Sequence, residues 1–249
     1  MELNIYVNYT AEISSLIKRF SAFDFLQNIE FPMSKDNKWC MDNKMFNYNA
    51  QECYAVQVMF VGKTGYGKST TINKIVGCDV FDTDDISSCT KDLFEADYRI
   101  DKKIPSFISF NDLPGIGESL EVDEKYLERY RNMLEKSQVV VYVLRADQRD
   151  YSEDEKVFKT LFKDKTTYEK VIMAINYADK IEPINRKEGL SNEQITNLRI
   201  KMEDVSNIFK IEKDSIIYYS AKDLINIDLL VEKIAEKLKE NMIKMNVQY

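Results

Sequence analysis

The stretch Gly62-Lys63-Thr64-Gly65-Tyr66-Gly67-Lys68-Ser69 constrains this chain more than any other. It meets the pattern G-x-x-x-x-G-K-[ST], and its surroundings are the ones that pattern needs. The apolar run CYAVQVMFVG, residues 53–62, precedes it as a strand, and KSTTINKIVG, residues 68–77, continues it as a helix. Successive backbone N–H groups of such a loop wrap an anion with no side chain in the way, and the helix N-terminus adds its dipole. The Lys68 ammonium then reaches the β- and γ-phosphates of a bound nucleotide, and the Ser69 hydroxyl reaches Mg²⁺. The expected nucleotide contacts here are Gly62, Lys63, Thr64, Gly65, Tyr66, Gly67, Lys68, Ser69 and Thr70. A flexible glycine turn is the competing reading of the same residues, and the flanking strand and helix argue against it.

The rest of the chain repeats the strand–helix alternation that the loop requires. Residues 93–101 and 105–111 read as a strand pair with a tight turn near Lys102 and Lys103. QVVVYVL (138–144), KVIMAIN (170–176) and SIIYYS (215–220) are short, continuous apolar strands, suited to burial on both faces of a mostly parallel sheet. Ser152 with Glu155, and Ser191 with Gln194, are capping boxes ahead of amphipathic helices, and a last helix over 226–240 places Leu230, Ile234 and Leu238 on one face. The fold class expected is α/β: a three-layer domain around a mostly parallel sheet with one antiparallel edge strand, spanning residues 52–249. Residues 1–51 form a short N-terminal helical region, in which Ile13, Leu16, Ile17, Phe20 and Phe23 recur at helical spacing behind a Thr10 cap. A helix packed on or beside the core is the main expectation for it, with a partner-binding or membrane-lying helix as the alternative.

Composition removes whole classes of chemistry. The 249 residues include no histidine, which excludes imidazole bases, histidine-containing triads and histidine-ligated zinc. Cys40, Cys53, Cys78 and Cys89 are widely spaced without a CxxC pair, as in a reduced intracellular chain, and no leader or membrane-spanning run is evident; a cytoplasmic location is expected. A net charge of −7 argues against a broad nucleic-acid surface, and peripheral membrane contact is not indicated.

Three further motifs stand in order behind the glycine loop. Asn111-Asp112-Leu113-Pro114-Gly115 ends an apolar strand, placing Asp112 to hold Mg²⁺ through water and the Gly115 N–H to meet a γ-phosphate. Asn176-Tyr177-Ala178-Asp179 ends the KVIMAIN strand, and the Asp179 carboxylate can accept from both guanine N1–H and the exocyclic amine, which adenine does not offer. Ser220-Ala221-Lys222 follows the next strand and offers the Ala221 N–H to guanine O6. Each motif is weak alone, but together they lie at the strand ends where open α/β sheets bind ligands.

The order GKTGYGKS, DLPG, NYAD, SAK over roughly residues 54–240 resembles the translation-factor-related P-loop GTPases. DLPGIGES, ADQRDYSEDE and NYADKIEP are similar to the bacterial YfjP-like and immunity-related GTPases, and GKTGYGKSTTIN to septin and Toc-like loops. The resemblance implies a switch threonine, Thr90, with Thr83 as its competitor; Cys89 beside it reads as structural. It implies a metal set of Ser69, Thr90 and Asp112, a catalytic set of Lys68, Thr90 and Gly115, and base contacts from Asn176, Asp179, Ser220, Ala221 and Lys222. Three departures qualify it, one being Gly65 in the place where potassium-activated relatives carry asparagine. Tyr177 replaces the lysine of the guanine motif, with Lys180 nearby, and Ile116 occupies the place where many small GTPases carry a water-orienting glutamine. The expected protein therefore binds GTP/GDP and Mg²⁺, hydrolyses GTP slowly and is activated by a separate protein or a homodimer across the nucleotide face; Arg149 reads first as a solvated helix-flanking arginine and second as a trans contact. A GTP-binding interaction module with negligible hydrolysis and an ATP-binding P-loop enzyme are the alternatives.

Overall fold

The computed structural model describes residues 3–4, 19–28, 54–77, 79, 94–101, 106–115, 128, 130–184 and 189–246. Among the described residues seven strands form one sheet: β1 (Leu3–Asn4), β2 (Tyr54–Val61), β3 (Phe94–Asp101), β4 (Ser106–Asp112), β5 (Val139–Arg145), β6 (Val171–Asn176) and β7 (Ile216–Tyr218), in the order β1-β3-β4-β2-β5-β6-β7. Every pairing is parallel except β3 with β4. Only four residues, 102–105, separate those two strands, too few for a parallel crossover, so antiparallel pairing is forced. The expected antiparallel strand is thus β3, but it is not an edge strand: β1 pairs along its outer side, Leu3 opposite Ala96.

Register carries function. Phe60 of β2 lies opposite Asp112 of β4, Val61 opposite Tyr142 of β5, and Arg145 of β5 opposite Asn176 of β6. The C-terminal ends of the parallel strands therefore finish along one rim, and the candidate motifs finish with them. Strands β5 and β6 are buried almost throughout, which is why their sequences run apolar without alternation.

Helix α1 (Lys68–Val76) starts directly from Gly67 and stops at Gly77, whose left-handed backbone lets its N–H return to Asn73 O at 2.7 Å. Helix α2 (Ser152–Leu161) corrects the expected cap. Tyr151 holds the N-cap place with no side-chain cap, and Ser152 stands inside the helix, its N–H donating to Asp150 at 2.8 Å and its hydroxyl at 3.1 Å. The short α3 (Lys165–Glu169) is capped by Asp164. In α4 (Asn192–Phe209) the Ser191–Gln194 box forms as expected. Helix α5 (Ile227–Asn246) runs past the expected end and buries Leu230, Ile234 and Leu238. Rings from three elements meet on one face of the sheet, Phe158 lying 5.5 Å from Tyr142 and 5.3 Å from Phe209.

The described part of the N-terminal region docks on the core. Phe20, Phe23 and Leu26 are buried, and Phe20 and Phe23 meet Phe110 edge-on at 6.3 and 6.5 Å. Burial of each phenylalanine contributes about 1.5–3 kcal/mol. Arg19 donates to Lys74 O at 2.7 Å and pairs with Asp228, tying this segment, a 3-10 run over Ser21–Asn28, to α1 and α5. The Thr10 cap, Ile13, Leu16, Ile17 and the 51/52 boundary lie outside the described residues. Among the described residues no helix is long and apolar enough to cross a membrane.

Candidate nucleotide-binding site

The glycine loop is held open by contacts that only glycine permits. Gly67 has φ +81°, and a Cβ there would lie 2.5 Å from Asn176 Nδ2; Gly62, at φ +151°, would place one 2.5 Å from Val143 O. Lys68 is buried, and its ammonium donates to Gly62 O at 3.1 Å and Lys63 O at 3.2 Å, across the loop's own curl. Thr71 fixes the first helical turn through Gly67 O at 2.6 Å and shares a 2.8 Å hydrogen bond with buried Tyr219. Thr64 and Gly65 are exposed at the loop tip, while Ser69 and Thr70 are half-buried at the helix start.

Strand β4 delivers Asp112 to that helix start, where the Ser69 hydroxyl donates to Asp112 Oδ2. A hydroxyl and a carboxylate are the hard oxygen donors that Mg²⁺ takes. Among the described residues no cluster of three or more acidic, cysteine or histidine side chains could hold a metal alone. The Ser69–Asp112 pair therefore fits an ion that completes its shell with water and phosphate oxygens, as Mg²⁺ does. Beyond Asp112, the chain presses Gly115 onto the loop: a Cβ there would lie 2.3 Å from Thr64 N. Buried Tyr130 anchors this approach by donating to Pro114 O. Thr90, Thr83, Cys89 and Ile116 lie outside the described residues.

The motifs at the ends of β6 and β7 come together at the glycine loop, with different tasks. Asn176 is 2% exposed; its Nδ2 donates to Tyr66 O at 3.0 Å, and its Oδ1 accepts from Tyr177 N at 2.8 Å and Ala221 N at 3.1 Å. It braces three segments instead of presenting a free amide, and the Ala221 N–H expected at guanine O6 is already donated to it. Asp179 differs: its Oδ1 is buried with no hydrogen-bond partner among the described residues. Such an orphaned acceptor fits a ligand that brings donors. Gln194 holds this turn from α4, donating to Asp179 O at 3.2 Å and Ile181 O at 3.0 Å. Ser220 Oγ closes its own turn by accepting from Asp223 N at 3.2 Å, and Lys222 is exposed beside it.

Tyr177 takes a left-handed backbone and donates its phenol to Gly65 O at 3.1 Å. Arg145, paired with Asp147 at 2.8 Å, lies 4.3 Å from its ring centre and Lys180 lies 4.4 Å from it. The hydrogen bond to Asp147 keeps the Arg145 pKa above its usual range. Sequence reading missed Arg145, whose only signal is its place at the end of β5, and missed a charged cluster joining Lys63 and Tyr66 to α2. Arg149 is exposed on the loop after β5.

The mostly parallel sheet, its flanking helices and the glycine loop between β2 and α1 are a P-loop GTPase fold. A family model described as 50S ribosome-binding GTPase matches residues 57–177. The chain is 28% identical over 188 residues to the uncharacterized protein YfjP of Escherichia coli K12, covering 76% of this chain and 64% of YfjP. It is 26% identical to the tRNA modification GTPase MnmE of Christiangramia forsetii, covering 73% of this chain and 36% of that protein. The chain thus spans less than two thirds of these curated relatives. Among solved structures, Toc33 of Arabidopsis thaliana superposes with a TM-score of 0.60 at 18% identity, covering 93% of both chains. A further structure, of the chloroplast translocon components atToc33 and psToc159, for whose GTPase activity dimerization is important, gives a TM-score of 0.61 at 20% identity, covering 90% of this chain and 91% of that one. Together these likenesses indicate a P-loop GTPase.

Proposed function

We propose that this chain binds GTP with Mg²⁺, hydrolyses it slowly to GDP and phosphate, and reaches efficient turnover only when a second copy covers the nucleotide face. The observation carrying guanine selectivity is the buried, unpartnered Asp179 Oδ1. Adenine brings no donors to that place, so the wrong base leaves the carboxylate unpaired. Lys68, released from Gly62 O and Lys63 O, follows the β- and γ-phosphate oxygens, and the loop N–H groups take charge developing on the transferring phosphoryl group. Gly115, already against Thr64, offers its N–H to the γ-phosphate; Thr90 closes from the other side and its backbone orients the attacking water. Mg²⁺, held by Ser69, Thr90 and Asp112, would neutralise phosphate charge. Loss of the γ-phosphate frees Thr90 and Gly115 and changes the outer surface, which is the switch.

Self-association is supported by Ile116, whose side chain orients no water, by Arg149 exposed on the loop after β5, and by the Toc components, for whose GTPase activity dimerization is important. The test measures GTP against ATP competition, then sedimentation and turnover per molecule across one concentration series. Guanine preference with activity rising alongside the dimer is expected. ATP preference rejects the base assignment; constant activity from a monomer rejects self-activation. Ile116 also favours a second reading, a GTP-binding interaction module, which single-turnover decay of bound GTP separates from a slow enzyme.

A further inference from the structure

We infer that Asp154 is a positioning residue for the phosphate loop, maintained at the expense of folding stability. Asp154 stands in the first turn of α2 and is fully buried, yet it belongs to none of the nucleotide motifs. Its Oδ2 takes three partners: the Tyr66 hydroxyl at 3.2 Å, Gln148 Nε2 at 3.2 Å and the Lys63 ammonium at 3.3 Å. Two of those three come from the glycine loop. Its Oδ1 is buried with no hydrogen-bond partner among the described residues. The Tyr66 hydroxyl shares its one proton between Asp154 Oδ2 and Gln148 Oε1, and Lys63 pairs with exposed Glu153 at 2.8 Å, so both non-glycine side chains on this side of the loop are held against the start of α2.

This direction matters for the loop's work. A phosphate cradle needs its N–H groups aimed inward, and a side chain of Lys63's charge turned inward would compete with Lys68 for the same oxygens. Asp154 and Glu153 hold the Lys63 ammonium on the outside, while Asn176 holds Tyr66 through its carbonyl and Asp154 holds it through its phenol. Packing alone does not call for a carboxylate here. A buried charge with one oxygen unpartnered opposes folding, and burial pushes the Asp154 pKa up despite Lys63, Tyr66 and Gln148. The side chain is better explained by the loop geometry it enforces than by the stability it adds.

The inference rests on reading the loop as a nucleotide site, and the test separates the two. Wild-type protein, Asp154→Asn, Lys63→Met and the double variant are titrated with GDP and with inorganic pyrophosphate, and each is melted without nucleotide. Asparagine keeps an acceptor for Tyr66 and Gln148 and removes the charge. The D154N melting temperature should equal or exceed the wild-type value, while affinity for both GDP and pyrophosphate falls about tenfold, the order for losing a support behind a contacting group. K63M should lose affinity similarly, and the double variant no more than either single one. D154N that melts lower or fails to fold overturns the inference, as does unchanged affinity, additive loss in the double variant, or a loss confined to GDP. Wild-type protein that binds neither probe refutes the nucleotide reading itself.

Discussion

Removing Asn176 distinguishes a brace from a ligand contact. Asn176→Ala deletes a donor 3.0 Å from Tyr66 O and an acceptor 2.8 Å from Tyr177 N and 3.1 Å from Ala221 N, at a side chain only 2% exposed. Tyr66 and Ala221 lie far from Asn176 in sequence, and their backbone groups lose the partner that the tertiary structure brought them. Each buried group left unpaired costs about 1–3 kcal/mol, so the low end for these two plus the lost local bond to Tyr177 gives about 3 kcal/mol. In a chain of this size each kcal/mol moves the melting temperature by about 2–4 °C, which makes the expected drop about 6–12 °C. The assay is thermal unfolding followed by far-ultraviolet circular dichroism, without nucleotide. Asp179→Ala is the contrast: its buried oxygen has no hydrogen-bond partner to lose, so the nucleotide-free melt should stay within about 2 °C of wild type while guanine binding falls. An N176A melt within about 2 °C of wild type would show that the three contacts carry little, and would return Asn176 to the role of a simple nucleotide ligand.

Lys68→Ala should fold normally and lose most GTP and GDP binding, measured by fluorescent-nucleotide titration; equal binding and turnover would remove the ammonium from the phosphate site. Asp179→Asn should shift preference from GTP toward xanthosine triphosphate, read by competition, and an unaltered preference would exclude Asp179 as the base reader. Gly115→Ala places a methyl where Thr64 backbone already stands, so GDP binding should persist while hydrolysis collapses; normal single-turnover hydrolysis would contradict that approach. For pH, burial raises the folded-state Asp154 pKa above the ordinary carboxylate value of about 3.9. Folding therefore favours the protonated form, a gain complete below that value and lost as pH rises through the raised one. Chemical denaturation should show D154N and wild type alike at the acid end and diverging toward neutral pH in favour of D154N; a constant difference would refute the linkage.

The sequence by itself determined the parts whose physics is local. The loop geometry follows from Gly62 and Gly67, the strand type from continuous apolar runs in β5 and β6, and the α4 start from Ser191 and Gln194, because each is settled by residues within a few positions of one another. Even locally the pattern misplaced one helix start: Ser152 lies inside α2 behind Tyr151, where its N–H and its hydroxyl both donate to Asp150, so its oxygen caps no later N–H. What only the tertiary structure decided is which distant group fills each space. Register sets Arg145 beside Asn176 and Asp112 beside Phe60, the approach of β6 to the glycine loop turns Asn176 into a brace, and α2 buries Asp154 against Lys63 and Tyr66. No spacing rule links these pairs, because their contacts span segments tens of residues apart and exist only after the sheet has closed its layers around them.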